Sequence, residues 1–148
     1  MSRDAFSFSH PLRVRWAELD PQGVVFNANY LTYFDVGVTE YWRAIGCDYP
    51  GAFFAQGVDT FLIKATVEYK APAKFDDEIA VKVRVSRVGR TSMTFLFAIE
   101  RNDQLLVSNE LIYVFANLSD KKPTRVPDAV RRAVLDHEQA PVETASAK

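Results

Sequence analysis

Between Tyr30 and Ile45 the chain reads YLTYFDVGVTEYWRAI, and its large apolar residues fall at Leu31, Phe34, Val38, Tyr41, Trp42 and Ile45. Spacings of three and four put them on one wide face of an α-helix. Thr32, Asp35, Thr39 and Arg43 form the opposite, polar face. Gly37 stands in the middle, where glycine costs roughly 1 kcal/mol against alanine. The expected compensation is a close approach of the helix backbone to a sheet. Asn27 or Asn29 is placed to cap the start, and Gly46 to end the helix in the left-handed conformation. A helix this apolar has to be covered, and the rest of the chain says by what.

The rest is strands. HPLRVRW alternates Leu12, Val14 and Trp16 against Arg13 and Arg15. After YPGAFFAQG the period of two returns four times. FLIKATVEYKAP sets Ile63, Ala65, Val67 and Tyr69 against Lys64, Thr66, Glu68 and Lys70, and EIAVKVRVSRV sets Ile79, Val81, Val83 and Val85 against Lys82, Arg84 and Ser86. SMTFLFAIE puts Met93, Phe95, Phe97 and Ile99 on one face, and QLLVSNELIYVFA follows a turn at Asn102-Asp103. Turn residues between the runs, such as VGRTS around Gly89, predict an antiparallel meander. KKPTRVPDAVRRAVL adds a loop and a short helix from Asp128 to about Leu135. The expected fold is α+β: five antiparallel strands, one long helix and a short C-terminal one. It is read as one domain over residues 1–148, with a core from about residue 8 to about residue 135 and a frayed tail in APVETASAK.

Eighteen basic against 19 acidic side chains leave a net charge of −1, which gives no global attraction to nucleic acid or an anionic membrane. An anionic ligand would need a local basic cluster. The single cysteine, Cys47, forms no intramolecular disulfide and fits a reducing compartment. MSRDAFSFSH has no apolar leader core, and no apolar run approaches the ~20 residues of a membrane helix. The expectation is a cytoplasmic protein.

The chemistry concentrates in WAELDPQGVVFNANY. Asp-Pro-x-Gly is common turn chemistry, and on that motif alone Asp20 is a turn aspartate. Its position between a strand and an apolar helix changes the argument. Unpaired N–H groups and the helix dipole at that N-terminus favour negative charge, and such groups can hold a developing oxyanion. A carboxylate beside them is a plausible base or nucleophile for attack on a carbonyl.

LDPQGVVFNANYLTYFDVGVTEYWRAIG resembles the signature of the 4-hydroxybenzoyl-CoA thioesterase family of hotdog-fold proteins: an Asp, a Gly three residues later, an apolar pair, then polar-x-Asn-Tyr opening the central helix. VEYKAPAKFDDEIAVKVRV, VGRTSMTFLFAI and KKPTRVPDAV resemble later segments of the family, so the likeness runs from about Leu12 to Val134. It implies a hotdog fold, a sheet wrapped around the long helix, and self-association as dimers or tetramers with sites at the dimer interface. By the same resemblance Asp20 is the catalytic acid, attacking the thioester carbonyl or activating water, and the Asn27 backbone N–H polarises that carbonyl. Gly23 permits close backbone approach, while Arg90, Thr91 and Ser92 match the turn that touches the nucleotide or pantetheine of coenzyme A. Asn29 and Tyr30 match too, with capping and packing as their expected roles. Gly37-Val38 departs from the Ala-Arg of many relatives, which leaves the subfamily open; Glu40 lies where relatives often carry an acid.

The implied activity is acyl-CoA thioester hydrolysis with no cofactor beyond the coenzyme A of the substrate, which an acyl carrier protein could replace. Two alternatives keep the fold: a dehydratase or hydratase, which would call for a histidine at the site, and a protein that binds acyl-CoA without turnover. His10 and His137 are both expected outside the core, and no Cys/His set has zinc spacing. Arg87, Lys121, Lys122 and Arg125 are further phosphate candidates by charge alone. Phe26, Tyr33, Phe34, Phe53, Phe54 and Phe61 are acyl-pocket candidates that at these spacings are also ordinary core residues.

Overall fold

The computed structural model describes residues 5–145. Its elements in chain order are β1 (Phe8–Arg13), a 3-10 turn (Trp16–Glu18), α1 (Asn29–Ala44), α2 (Gly51–Ala55), β2 (Val58–Tyr69), β3 (Glu78–Val88), β4 (Ser92–Arg101), β5 (Gln104–Asn117), α3 (Asp128–His137) and β6 (Glu143–Thr144). Strands β1 to β5 form one antiparallel sheet in the order β1-β3-β4-β5-β2. The expected α+β architecture is the one found. α2 was not read from the sequence, because five residues give too little periodicity to register.

The alternation in β3 and β4 explains the core. Val81, Val83 and Val85 face α1 together with Phe95, Phe97 and Ile99, and all are almost completely buried. From the helix, Tyr33, Phe34, Tyr41 and Trp42 meet them, with Phe34 and Phe97 rings 5.0 Å apart. Gly37 sits where backbone and sheet touch: a Cβ there would lie 2.7 Å from Val81 Cγ1 and 3.2 Å from Val83 Cγ2. That contact is the compensation its position in the sequence demanded.

Two local expectations change. Neither Asn27 nor Asn29 caps α1; Ala28 occupies the N-cap position and no side chain fills it. Asn29 instead turns its amide back to donate to the Glu18 carbonyl, 2.8 Å away. Trp16 is not the inward end of a strand either. It leaves β1 in the 3-10 turn, stands 73% exposed, and packs edge to face on Phe75 at 5.3 Å.

β2 differs from its neighbours in burial, not in shape. It closes one edge of the sheet, paired on one side to β5, with Phe61, Leu62, Ile63 and Tyr69 all exposed. Val58 is buried and Val67 packs against the core, but most of the rest of the strand finds nothing to cover it within one chain. At the other edge β6 pairs in parallel with Arg87 and Val88, continuing the line of β1 beyond Phe8. The tail is thus ordered as far as that strand, while residues 146–148 of the expected frayed segment lie outside the described residues. α3 packs through Val130 and Val134. Glu138 just after it accepts hydrogen bonds from Tyr41 (2.6 Å), Ser7 (3.0 Å) and the Val85 N–H (3.0 Å), tying the C-terminal helix to the last turn of α1 and to β3.

Candidate active site

Because the strands are antiparallel, the sheet has two ends of different composition. One gathers the end of β1, the start of β3, the β4–β5 hairpin and the end of β2; α1 begins there. The other gathers the β3–β4 hairpin and the start of β2. Ten residue steps along β3 separate the two, about 33 Å at strand rise.

Asp20 lies at the first end. Its N–H donates to the Val24 carbonyl (2.8 Å), its carbonyl accepts from Gly23 (2.9 Å), and its Oδ1 accepts from the Gln22 N–H (2.8 Å). The turn reading was therefore right as local structure: Asp20 nucleates an Asx turn, closed by Gly23 at φ +78°, a conformation side chains rarely adopt. After the turn the chain zips Val25 onto the Ala73 carbonyl and Phe26 onto the Glu18 carbonyl. That short ladder leads it straight into α1.

The result is a cleft of ≈ 470 Å³ bounded by Asp20, Gln22, Val24, Val25, Asn27, Tyr30, Tyr69 and Lys70–Pro72. Tyr30 is buried; its hydroxyl accepts the Ala73 N–H (3.0 Å) and its ring packs on Tyr69. Burial raises the Tyr30 phenol above its ordinary value, so it stays neutral. Tyr69 reaches across and donates to the Asn27 carbonyl at 3.1 Å. The remaining wall, Ala71 to Lys74, is pinned from behind: Asp77 accepts the Lys74 N–H (2.8 Å) and Arg101 (2.6 Å), and Arg101 also donates to the Pro72 carbonyl (3.2 Å). Desolvation opposes the Asp77 charge, but these donors outweigh it and hold the carboxyl below its ordinary range.

Among the described residues the backbone N–H groups of Asn27 and Ala28 have no hydrogen-bond partner, whereas Asn29 N–H already donates to Phe26. The absence of a side-chain cap is what leaves the first two available. A half-buried carboxylate and free N–H groups at a helix start thus bound one cleft. A second cleft, ≈ 400 Å³ and lined by residues such as Thr66, Leu96, Ser108 and Glu110, includes neither feature.

The residues read from the sequence divide between the two ends. Asp20, Gly23 and Asn27 come together at the first. Arg90, Thr91 and Ser92 form the β3–β4 turn at the second, where the Arg90 and Thr91 carbonyls accept from Val126 and Phe115. One chain does not bring Arg90 to Asp20. Of the other cations, Arg87 pairs with Glu143 and Arg125 with Asp128, while Lys121 lies over the Phe61 ring. Glu40 is engaged by Arg43 on the helix surface. Neither histidine lines the cleft; His137 is not the surface residue expected but packs edge to face on Tyr41 at 5.4 Å, near the far end of the helix. Tyr33, Phe34 and Phe53 prove to be core, whereas Phe26, Phe54 and Phe61 are exposed.

Sequence reasoning passed over Glu18, two residues before Asp20. Its carboxylate accepts from the Arg15 N–H (2.7 Å), the Arg15 guanidinium (2.9 and 3.1 Å) and the Tyr33 hydroxyl (2.9 Å), and it is 8% exposed. Burial raises the Glu18 carboxyl, yet the Arg15 and Tyr33 donors together hold it below 4.5. Tyr33 is raised in turn, by burial and by that carboxylate. The Arg-x-x-Glu spacing was the legible signal, since it mimics the capping pattern that turns a side chain back on the chain.

Comparison with known proteins agrees with this architecture. The sequence profile of the thioesterase-like superfamily matches residues 14–134. The acyl-CoA thioesterase YbgC of Haemophilus influenzae is 31% identical over 127 residues, covering 85% of this chain and 93% of the relative. A thioesterase of Thermus thermophilus, solved with coenzyme A and Zn, superposes with a TM-score of 0.80 at 25% identity, over 94% of this chain and 99% of that one. The DHNA-CoA thioesterase of Staphylococcus aureus shares the fold at a TM-score of 0.81 and 23% identity, covering 91% and 96%. The chain belongs to the thioesterase-like superfamily, and its fold is the hotdog fold. No helix among the described residues is long and apolar enough to cross a membrane.

Proposed function

We propose that this chain hydrolyses acyl-CoA thioesters, with Asp20 as base or nucleophile and the Asn27 N–H as oxyanion donor. The observation that carries the reading is the shared cleft: a carboxylate and unpaired amides at the start of α1, in a chain of thioesterase-like ancestry. The thioester carbonyl oxygen points at the Asn27 and Ala28 amides, and charge that develops on it is stabilised as the tetrahedral adduct forms. Asp20 takes the proton of the attacking water, or attacks the carbon itself. The C–S bond then breaks and the thiolate leaves, taking up the proton that Asp20 removed from water. On the nucleophilic route the thiolate is protonated by solvent, and water hydrolyses the acyl–Asp20 anhydride to free acid and regenerated carboxylate. Coenzyme A enters as part of the substrate, and the chain needs no resident cofactor. The single free Cys47 suits work in the reducing cytoplasm.

Self-association belongs to the same reading. The exposed β2 edge offers unpaired N–H and C=O groups beside Leu62 and Ile63, which an isolated protein usually protects. Antiparallel pairing of two β2 edges about a two-fold axis sets the end of one β2, at the Asp20 cleft, beside the start of the other. The partner's Arg90–Ser92 turn lies at that start. Two chains thereby unite what one keeps apart, and Arg90 meets the phosphates of coenzyme A.

Asp20→Asn is expected to lower kcat by roughly two to four powers of ten, as loss of a general base does. Release of thiol from short, medium, long and aromatic acyl-CoAs, followed with a chromogenic reagent, is the measurement. A folded variant that turns over at the wild-type rate refutes the role of Asp20. Saturable coenzyme A binding with no thiol release would make the protein a binder.

A further inference from the structure

We propose that Glu18 is the positioning residue of the site, its side chain and carbonyl fastening the Asp20 turn to the first turn of α1. The inference rests on the catalytic reading of Asp20 but concerns a residue that touches no substrate. Three connections carry it. The carboxylate takes the Tyr33 hydroxyl at 2.9 Å and so grips the helix one turn in. The carbonyl takes the Asn29 side chain at 2.8 Å and the Phe26 N–H at 3.0 Å, on either side of the two free amides. The Arg15 N–H and guanidinium close the other side of the carboxylate and hold the 3-10 turn in shape.

Asp20 and the Asn27 amide belong to different segments, a turn and a helix start, and only a cross-link between those segments fixes their separation. The Asx turn holds Asp20 to its own loop, not to the helix. The links from that loop to α1 run through Glu18 and through the Val25–Ala73 and Tyr30–Ala73 bonds of the wall. Glu18 stands two residues from Asp20, so slack there moves the carboxylate directly. Among the described residues the buried Tyr33 hydroxyl has no other polar partner. Its bond to Glu18 is therefore the joint whose removal tests the idea with the least other change.

The experiment compares Glu18→Ala, Glu18→Gln, Tyr33→Phe and the Glu18→Ala/Tyr33→Phe pair with wild type and Asp20→Asn. Steady-state thiol release is measured across pH, and thermal unfolding confirms folding. A misplacement near one ångström costs up to about a hundredfold, so Glu18→Ala is expected to lose roughly ten- to a hundredfold in kcat with KM little changed. Glu18→Gln keeps an acceptor for Tyr33 and the Arg15 N–H, and recovers most of that rate. Tyr33→Phe falls in the same direction, and the double variant falls no further than Glu18→Ala, because both remove one joint. The pH at which activity declines on the acid side stays in place.

Three results overturn the proposal: wild-type kcat in Tyr33→Phe, a Glu18→Gln as impaired as Glu18→Ala, or a moved acid limb. The last would mean that Glu18 acts on Asp20 through charge and not through position. Should Glu18→Ala fail to fold, Tyr33→Phe and Glu18→Gln decide alone. Asp20→Asn separates the two readings: wild-type turnover there removes the catalytic assignment, whereas a dead Asp20→Asn beside intact Glu18 and Tyr33 variants removes only the positioning role.

Discussion

Two carboxylates two residues apart stand in opposite surroundings. Asp20 spends one oxygen on the Gln22 N–H and faces an open cleft, whereas Glu18 is saturated by Arg15 and Tyr33 and nearly buried. The second arrangement has a consequence for stability. A carboxyl held below 4.5 in the folded chain binds its proton less readily than in the unfolded chain, so folding gains from its ionisation above that value. The gain disappears as pH falls through 4.5 and then through the lower folded value. Glu18→Gln lacks an ionisation there. The melting temperature of the variant should therefore trail wild type at pH 7, and the gap should shrink as pH falls from 7 through 4.5 toward the lower folded value, where Glu18 takes up its proton. A gap that stays constant between those two limits would assign the stabilisation to shape and not to charge. Asp77 has the same sign but is common to both proteins, so it cancels in the comparison.

At the scale of the elements, α1 against β3 decides how tightly the sheet closes. Gly37 allows the approach, and Val81 and Val83, β-branched and stiff at χ1, cannot swing away from an added methyl. Helix propensity favours alanine by roughly 1 kcal/mol, while overpacking costs about 1–3 kcal/mol. With one contact at 2.7 Å the second effect should win, and Gly37→Ala should lower the denaturation midpoint. Combined with Val81→Ala the loss should be smaller than the sum of the two, as expected for neighbours that share a contact. This helix and the strands facing it were legible because periods of 3.6 and 2 are local properties of the chain. Gly37 was legible as a cost that needed a cause. The Asp20 turn was legible too, from Asp-Pro-x-Gly alone. What stayed hidden is what long-range contacts decide. Asn29 became a tether and not a cap because Glu18, eleven residues earlier, folds back above it. Glu18 is buried because Tyr33 descends on it from the next element. The exposure of β2 depends on strand order, which alternation does not encode.

For the whole molecule the decisive geometry is that Asp20 and Arg90 lie at opposite ends of one sheet. Antiparallel pairing of β2 edges predicts that each site draws Asp20 from one chain and Arg90 from the other, and protomer mixing tests this directly. Take Asp20→Asn and Arg90→Glu homodimers, each nearly inactive at substrate concentrations well below KM. After exchange, a mixed dimer contains one site with both defects and one with neither. Random pairing at equal amounts makes half of the dimers mixed, so roughly a quarter of all sites regain wild-type composition. If both residues acted within one chain, every site would carry a defect and mixing would yield only the average of two poor enzymes. Ile63→Lys in the exposed edge supplies the companion measurement, since a charge at the seam should shift the sedimentation equilibrium toward monomer. In that monomer the Asp20 cleft remains formed but Arg90 is absent from it. Activity should therefore fall mainly through a raised KM for coenzyme A thioesters, with the loss shrinking for short acyl-pantetheine substrates that have no nucleotide phosphates to hold.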